Sequence, residues 1–353
     1  MLPEQALAAG RWVKLICGAS NQDLAAIEDL CGIYTLAGVD CIDLAADGAV
    51  VAAARRGMAW ALERGAPPPW LMLSLSDGAD PHFRKAWFDP ERCPPGCPRP
   101  CQRVCPALAI GTSAGVFEER CYGCGRCLPV CPWGLIEERD HQLAPPAVAP
   151  LLRALQPQAV EIHTRPGRAT AFAERLAQVK ASGLALERLA VSCGLEPATA
   201  EHDPGLGPIR PERLAEELWQ RFALLRRNGF KPLWQLDGRP MSGDVGAGTA
   251  RAAVLLLERI LAMAPPGPIQ LAGGTNGLTL ALCQGLAKRS GRPRGGAAGV
   301  AFGGVARRRL QPHLLKAQRR QTRLLDDREL VEVALKDARA LVTPWRTEDG
   351  GHL

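Results

Sequence analysis

Eight of the chain's 13 cysteines are crowded between Cys93 and Cys131. They form two runs, Cys93, Cys97, Cys101, Cys105-Pro106 and Cys121, Cys124, Cys127, Cys131-Pro132. The second run has the C-x₂-C-x₂-C-x₃-C-P spacing by which bacterial ferredoxins hold cubane iron–sulfur clusters. Two-residue gaps let three thiolates curl around one cube. The fourth, carried past them beside a proline, reaches a second cube. Crossed ligation is therefore expected, with Cys121, Cys124, Cys127 and Cys105 on one cluster and Cys93, Cys97, Cys101 and Cys131 on the other. Zinc takes four ligands, usually as separated pairs, and fits two triplet-plus-one runs poorly. The first run departs from the ferredoxin pattern, with three residues in each gap (PPG, PRP, QRV). Its spacing is not the C-x₃-C-x₂-C of radical-SAM enzymes either.

The block also repeats itself. Phe88 precedes Cys93 much as Phe117 precedes Cys121, and CPALAI at 105–110 echoes CPWGLI at 131–136. Such duplication is expected of a pseudo-twofold module. Arg99, Arg103 and Arg126 lie within the runs and would favour the reduced, more negative state of a cluster.

A second set of polar residues sits in apolar strand patterns. Lys14 lies between Val13 and Leu15, and Asp43 between Ile42 and Leu44. Ser74 lies between Leu73 and Leu75, Glu161 and His163 flank Ile162, and Gln235 and Asp237 flank Leu236. Ser192 and Gln270 occupy similar places. Alternation puts all of these on the face opposite the helices. Buried charge needs partners, so Lys14, Asp43, Glu161, His163, Gln235 and Asp237 are read as an ion-pair network or a ligand site.

The elements that must position these residues alternate regularly. Strand patterns occur at 13–17, 41–45 and 71–75, separated by helical periodicity at 23–36 and 49–64. Residues 84–142 are rich in Cys, Pro and Gly, and no long helix fits there. Alternation resumes with strands at 160–163, 189–192, 233–236, 269–272 and 299–302, and with helices between them. Eight βα units predict an α/β fold, a closed (β/α)₈ TIM-like barrel, with an α+β 2[4Fe-4S] ferredoxin-type module inserted between strand three and its helix. An open doubly wound sheet is the alternative. The expected divisions are 10–80 and 145–325 for the barrel, 84–142 for the insert and 326–353 for a charged helical tail. The loops after strands seven and eight carry Gly273, Gly274, Thr275, Asn276, Gly303 and Gly304, a pattern suited to FMN or another phosphate ligand.

Composition narrows the classes. Hydrophobic residues make up 47% and charged residues 22%, as in ordinary globular proteins. MLPEQALAAG shows no basic segment followed by an apolar core, so no secretory signal is read and a reducing cytoplasm is expected, where clustered cysteines mean metal before disulfides. Residues 260–287 carry no charge, but prolines and glycines break them, so no transmembrane segment is expected. The formal charge is +7. Two clusters with their eight thiolates bring roughly −4, so net charge gives no case for nucleic acid. Cys17 and Cys193 fall at strand ends, whereas Cys31, Cys41 and Cys283 look like core. Arg307, Arg308, Arg309, Lys316, Arg319, Arg320 and Arg323 make a basic stretch with an apolar face of leucines. It reads as a solvated final helix packed on the barrel, or as a docking surface for an acidic partner.

LICGASNQDL, YTLAGVDCIDLAAD at 34–47, the cysteine block and LDGRPMSGDVGAGTARAAV resemble the light-dependent period protein (LdpA) family of cyanobacteria, over about residues 10–325. The resemblance implies an iron–sulfur protein that reports cellular redox state to the circadian clock and associates with clock input proteins. It carries over the eight cluster cysteines. Electron exchange with a quinone or ferredoxin pool is the corresponding expectation. Two rivals stay open: a flavin- or phosphate-ligand barrel oxidoreductase that uses the clusters as its electron supply, and an adaptor with structural clusters.

Overall fold

The computed structural model describes residues 1–111, 114–195, 209–239 and 246–347. Part of the LDGRPMSGDVGAGTARAAV stretch (240–245) and the end of the tail (348–353) lie outside them. In chain order the elements are α1 Pro3–Ala8, β1 Trp12–Gly18, α2 Leu24–Ala37, β2 Cys41–Ala45, α3 Gly48–Leu62 and β3 Trp70–Ser76. The insert holds β4 Arg84–Trp87, α4 Pro100–Val104, α5 Cys127–Val130 and β5 Glu137–Asp140. Then come α6 Pro145–Leu155, β6 Ala159–His163, α7 Ala169–Lys180, β7 Arg188–Gly194, α8 Pro211–Arg227 and β8 Pro232–Asp237. The chain ends with α9 Ala250–Ile260, β9 Ile269–Ala272, α10 Thr279–Ser290, β10 Gly299–Phe302, α11 Gly304–Arg319 and α12 Arg328–Arg346.

Eight strands close a parallel barrel in the order β1-β10-β9-β8-β7-β6-β3-β2. The open-sheet alternative is thereby excluded. The apolar faces of the strands meet the helices in one continuous core. Local signals set the helix ends. Asp23 and Asp47 accept from Ala26 N–H and Val50 N–H and so cap α2 and α3, and Gly38 closes α2 at φ 95°. Helices α2 and α3 cross in contact through Gly32 and Gly57. A Cβ on Gly57 would stand 2.1 Å from the Glu28 carbonyl oxygen.

The barrel interior is layered. At the N-terminal end Trp12, Cys41, Trp70, Met72, Ala159, Ala190 and Leu233 form an apolar floor with Leu7 of α1. Trp12 and Trp70 meet edge-on at 5.3 Å. The sequence patterns predict neither α1 nor this floor. The polar residues lie above it. The basic stretch runs along α11, whose Leu310 and Leu314 are buried in the barrel core; it is not the final helix, because a separate α12 follows.

Candidate functional site

The insert is closed at its base by a two-stranded antiparallel sheet, with Arg84–Trp87 against Glu137–Asp140. Its duplication is visible in the hydrogen bonds. Cys105 Sγ accepts from Ala109 N–H at 3.2 Å, and Cys131 Sγ accepts from Leu135 N–H at 3.4 Å. A turn follows each proline, with Leu108 at φ 51° in one half and Gly134 at φ 59° in the other. Cys121 Sγ accepts from Ala86 N–H at 3.3 Å.

The thiols gather across the repeat. Cys131 acts electrostatically on Cys93 and Cys101, and Cys97 on both. Cys105 and Cys121 act on Cys124 and Cys127. Burial, followed by Cys124, Cys121 and Cys105, pushes the Cys127 thiol up to about 12. Four converging thiolates oppose one another until a cation joins them, which is the donor chemistry of a metal cluster. Cys105, Cys121, Cys124 and Cys127 ring a void whose other walls include Ala86, Ala107, Ala109, Ile110 and Val116. Four thiols around a largely apolar hollow suit an iron–sulfur cluster. All thirteen cysteines are free of disulfides. Gly123 is required where the loop crosses the sheet: at φ +70° its Cβ would stand 2.3 Å from the Arg84 carbonyl oxygen.

Inside the barrel the polar residues meet as the alternation predicts. Lys14 is fully buried and paired with Asp43 Oδ2 at 3.1 Å and with Glu161. Ser74 Oγ donates to Asp43 Oδ1 at 2.7 Å. Gln235 Nε2 donates to Glu161 Oε1 at 3.0 Å, and Gln270 Nε2 to Gln235 Oε1 at 2.7 Å. Trp12 Nε1 donates to Gln270 Oε1 at 2.7 Å and links the floor to the network. His163 Nε2 meets Glu161 Oε1 at 3.1 Å, and Ser192 Oγ donates to Asp237. Burial alone would lower the Lys14 ammonium, but Asp43 and Glu161 more than reverse that. Burial would likewise lower His163, yet the Glu161 hydrogen bond and charge, then Asp80 and Asp237, raise it to about 9. Burial raises Asp237. For Glu161, burial opposes ionisation, but Lys14 and His163 hold it below the usual carboxylate range.

Network and insert share a cavity of about 170 Å³ at the C-terminal mouth of the barrel. Asp43, Glu161, His163, Gln235 and Asp237 line it from the barrel, and Cys124 and Tyr122 from the insert. Arg307 of α11 ties the two together. Its guanidinium lies 4.2 Å from the Tyr122 ring centroid, and Nη1 donates to the Ile16 carbonyl at 2.8 Å. The glycine loops also line the cavity. The polar side chains of Thr275 and Asn276, however, are spent internally. Thr275 Oγ1 donates to the Ala301 carbonyl, and Asn276 Nδ2 reaches the Gly246 and Ala247 carbonyls. Gly273 and Gly274 sit tight against Arg239 and Thr249. These four residues shape the cavity wall.

Residues 93–142 match the LdpA Fe-S cluster-binding domain and residues 151–344 the light dependent period A C-terminal domain. The chain belongs to the light dependent period A family. It is 46% identical over 351 residues to Light dependent period A of Synechococcus elongatus, covering 99% of this chain and 95% of that protein. The family's iron–sulfur domain thus coincides with the insert. Among solved structures, (S)-3-O-geranylgeranylglyceryl phosphate synthase from Thermoplasma acidophilum aligns at 11% identity and TM-score 0.41, over 96% of this chain and 99% of that one. The HMG-CoA lyase from Brucella melitensis aligns at 10% identity and TM-score 0.37, over 83% and 81%.

Sequence reasoning missed Asp80, His82, Tyr122 and Arg307. Asp80 and His82 lie in a loop after β3, where no periodicity fixes direction. The D-x-H spacing was their only signal. Cys17 lies 3.8 Å from Cys31 in the core, and Cys41, Cys193 and Cys283 are buried too. Among the described residues no helix is long and apolar enough to cross a membrane.

Proposed function

We propose that the chain is a two-cluster iron–sulfur redox sensor acting in the cytoplasm on the light-dependent period. Cys105, Cys121, Cys124 and Cys127 would hold one [4Fe-4S] cluster, and Cys93, Cys97, Cys101 and Cys131 the other. The observation that carries this reading is the gathering of thiols from both halves of the repeat into two groups of four. When bound, such clusters supply reversible one-electron chemistry. The N–H groups of Ala86, Ala109 and Leu135 favour the more negative state, as donors to sulfur do. Cys105 also borders an open groove of about 580 Å³ lined by Arg103, Arg126 and Arg308. That basic edge suits an acidic protein electron carrier of the ferredoxin kind.

Signal transfer is read through Tyr122 and Arg307. They join the loop of Cys121 and Cys124 to α11, so a unit change of charge beside them alters the balance at the α11 surface. Couplings of about 1–3 kcal/mol are ordinary for such signals. Clock input proteins are the partners this reading assigns to that surface. The mouth cavity favours the second reading, an oxidoreductase with a flavin- or phosphate-bearing ligand beside Cys124. Anaerobic purification separates the two. About eight irons with matching sulfide per chain and no released flavin fit the sensor, since each cube holds four irons. Flavin in the denatured supernatant fits the oxidoreductase, and iron-free folded protein ends both.

A further inference from the structure

Asp80, His82 and His163 each offer one ligand atom, and all three atoms lie within 4.8 Å of one another. We propose that they form a binding site for a single divalent transition-metal ion at the barrel mouth, separate from the cysteine clusters. Two neighbouring barrel strands deliver the donors. His163 ends β6, opposite Ser76 of β3, and the Asp80-Pro81-His82 turn follows β3. The imidazole rings stand 4.9 Å apart. Phe83 meets His163 edge-on at 5.2 Å and fixes its plane.

The surroundings of His163 are those of a metal ligand. Metal-bound histidines almost always give their other ring nitrogen to a carboxylate or carbonyl, which sets the tautomer. Here His163 Nε2 meets Glu161 Oε1 at 3.1 Å, and Lys14 and Gln235 hold Glu161 in place. The second ring nitrogen is left for a ligand role. On the other side Asp80 Oδ1 lies 2.7 Å from His82 Nδ1 and accepts His82 N–H at 2.8 Å. A turn this tight presents carboxylate and imidazole together.

Charge and space agree with this. Asp43, Asp80, Glu161 and Asp237 act on His163, on Lys14 or on one another. They face one lysine and two imidazoles, with Arg165 and Arg239 at the border. Bonds of about 2.0–2.2 Å put donors roughly 3.3 Å apart around a tetrahedral ion, so side-chain shifts of about 1 Å close the site. Two histidines and one carboxylate suit zinc or ferrous iron, with the open positions facing the cavity.

The test uses full-length, cluster-loaded protein under anaerobic conditions. It is equilibrated with Zn²⁺ and dialysed, and zinc, iron and sulfide are counted together. The expected result is about one zinc per chain with iron and sulfide unchanged. His82→Ala and Asp80→Asn should weaken zinc binding by at least the 10–100-fold seen when even a supporting residue is disturbed. His313→Ala, on α11 where Nε2 meets Asp337 of α12, should not. Zinc should raise the melting temperature of the parent and not of His82→Ala. Wild-type zinc no higher than that of His82→Ala overturns the proposal. So does zinc held by both variants as tightly as by the parent, or zinc gained only as iron is lost. The iron count judges the cluster reading independently.

Discussion

Lys14→Met removes the cation that two buried carboxylates share. Lys14 and Glu161 are 0% exposed and Asp43 2%, so water cannot take its place. Removing one partner of a buried ion pair costs about 3–5 kcal/mol, because the remaining charge stays uncompensated. Unfolding entropy of about 2.1 cal/mol/K per residue over the 353-residue chain makes 1 kcal/mol worth roughly 1.3 °C. The variant should therefore melt about 4–7 °C lower at pH 7. The pH dependence has a definite sign. In the parent, the lowered Glu161 contributes stability above its unfolded value that is lost as pH falls through its folded one. In the variant, Glu161 rises above its unfolded value, and Asp43, already raised by burial in the parent, rises further without Lys14, so acid stabilises the fold. The gap between the two proteins should narrow from pH 7 to pH 5. Anaerobic thermal scans of cluster-loaded protein measure both effects. Adding Asp43→Asn and Glu161→Gln should restore most of the loss. A variant melting within 1 °C of the parent at pH 7, or a gap that widens in acid, would refute the argument.

Two further predictions concern packing. Gly57→Ala places a methyl 2.1 Å from the Glu28 carbonyl oxygen where α2 and α3 cross, with backbone on both sides. Its cost should reach or exceed the upper end of the 1–3 kcal/mol typical of overpacking, read from urea or thermal unfolding. Leu108 holds a φ of 51° where the other half of the repeat has Gly134, and its side chain is 43% exposed. Leu108→Gly should be neutral or stabilise the insert by up to about 1 kcal/mol, seen as slower loss of iron on heating.

The sequence carried the barrel and its interior for a specific reason. Polar residues such as Lys14, Asp43 and Glu161 interrupt apolar strands at period two, so once the helices cover one face their direction follows. The cysteine spacing was legible because cluster geometry admits few gap lengths. Legibility stopped where position depends on tertiary contact. His82 sits in a loop whose course is set by Ser20, whose hydroxyl donates to the His82 and Arg84 carbonyls. Arg307 reads as one more surface arginine in RRR, yet it turns inward to Tyr122. The side chains of Thr275 and Asn276 close neighbouring loops, a role no spacing in the sequence announces. The six-residue α1 is too short for periodicity to mark.

The central claim is that each cluster draws thiolates from both halves of the insert. The direct measurement compares the iron content and low-temperature electron paramagnetic resonance of four reduced variants, Cys131→Ala, Cys97→Ala, Cys105→Ala and Cys124→Ala. Crossed ligation predicts that Cys131→Ala reproduces the spectrum of Cys97→Ala, and that Cys105→Ala reproduces that of Cys124→Ala. If Cys131→Ala instead matches Cys124→Ala, each run holds its own cluster and the account is contradicted.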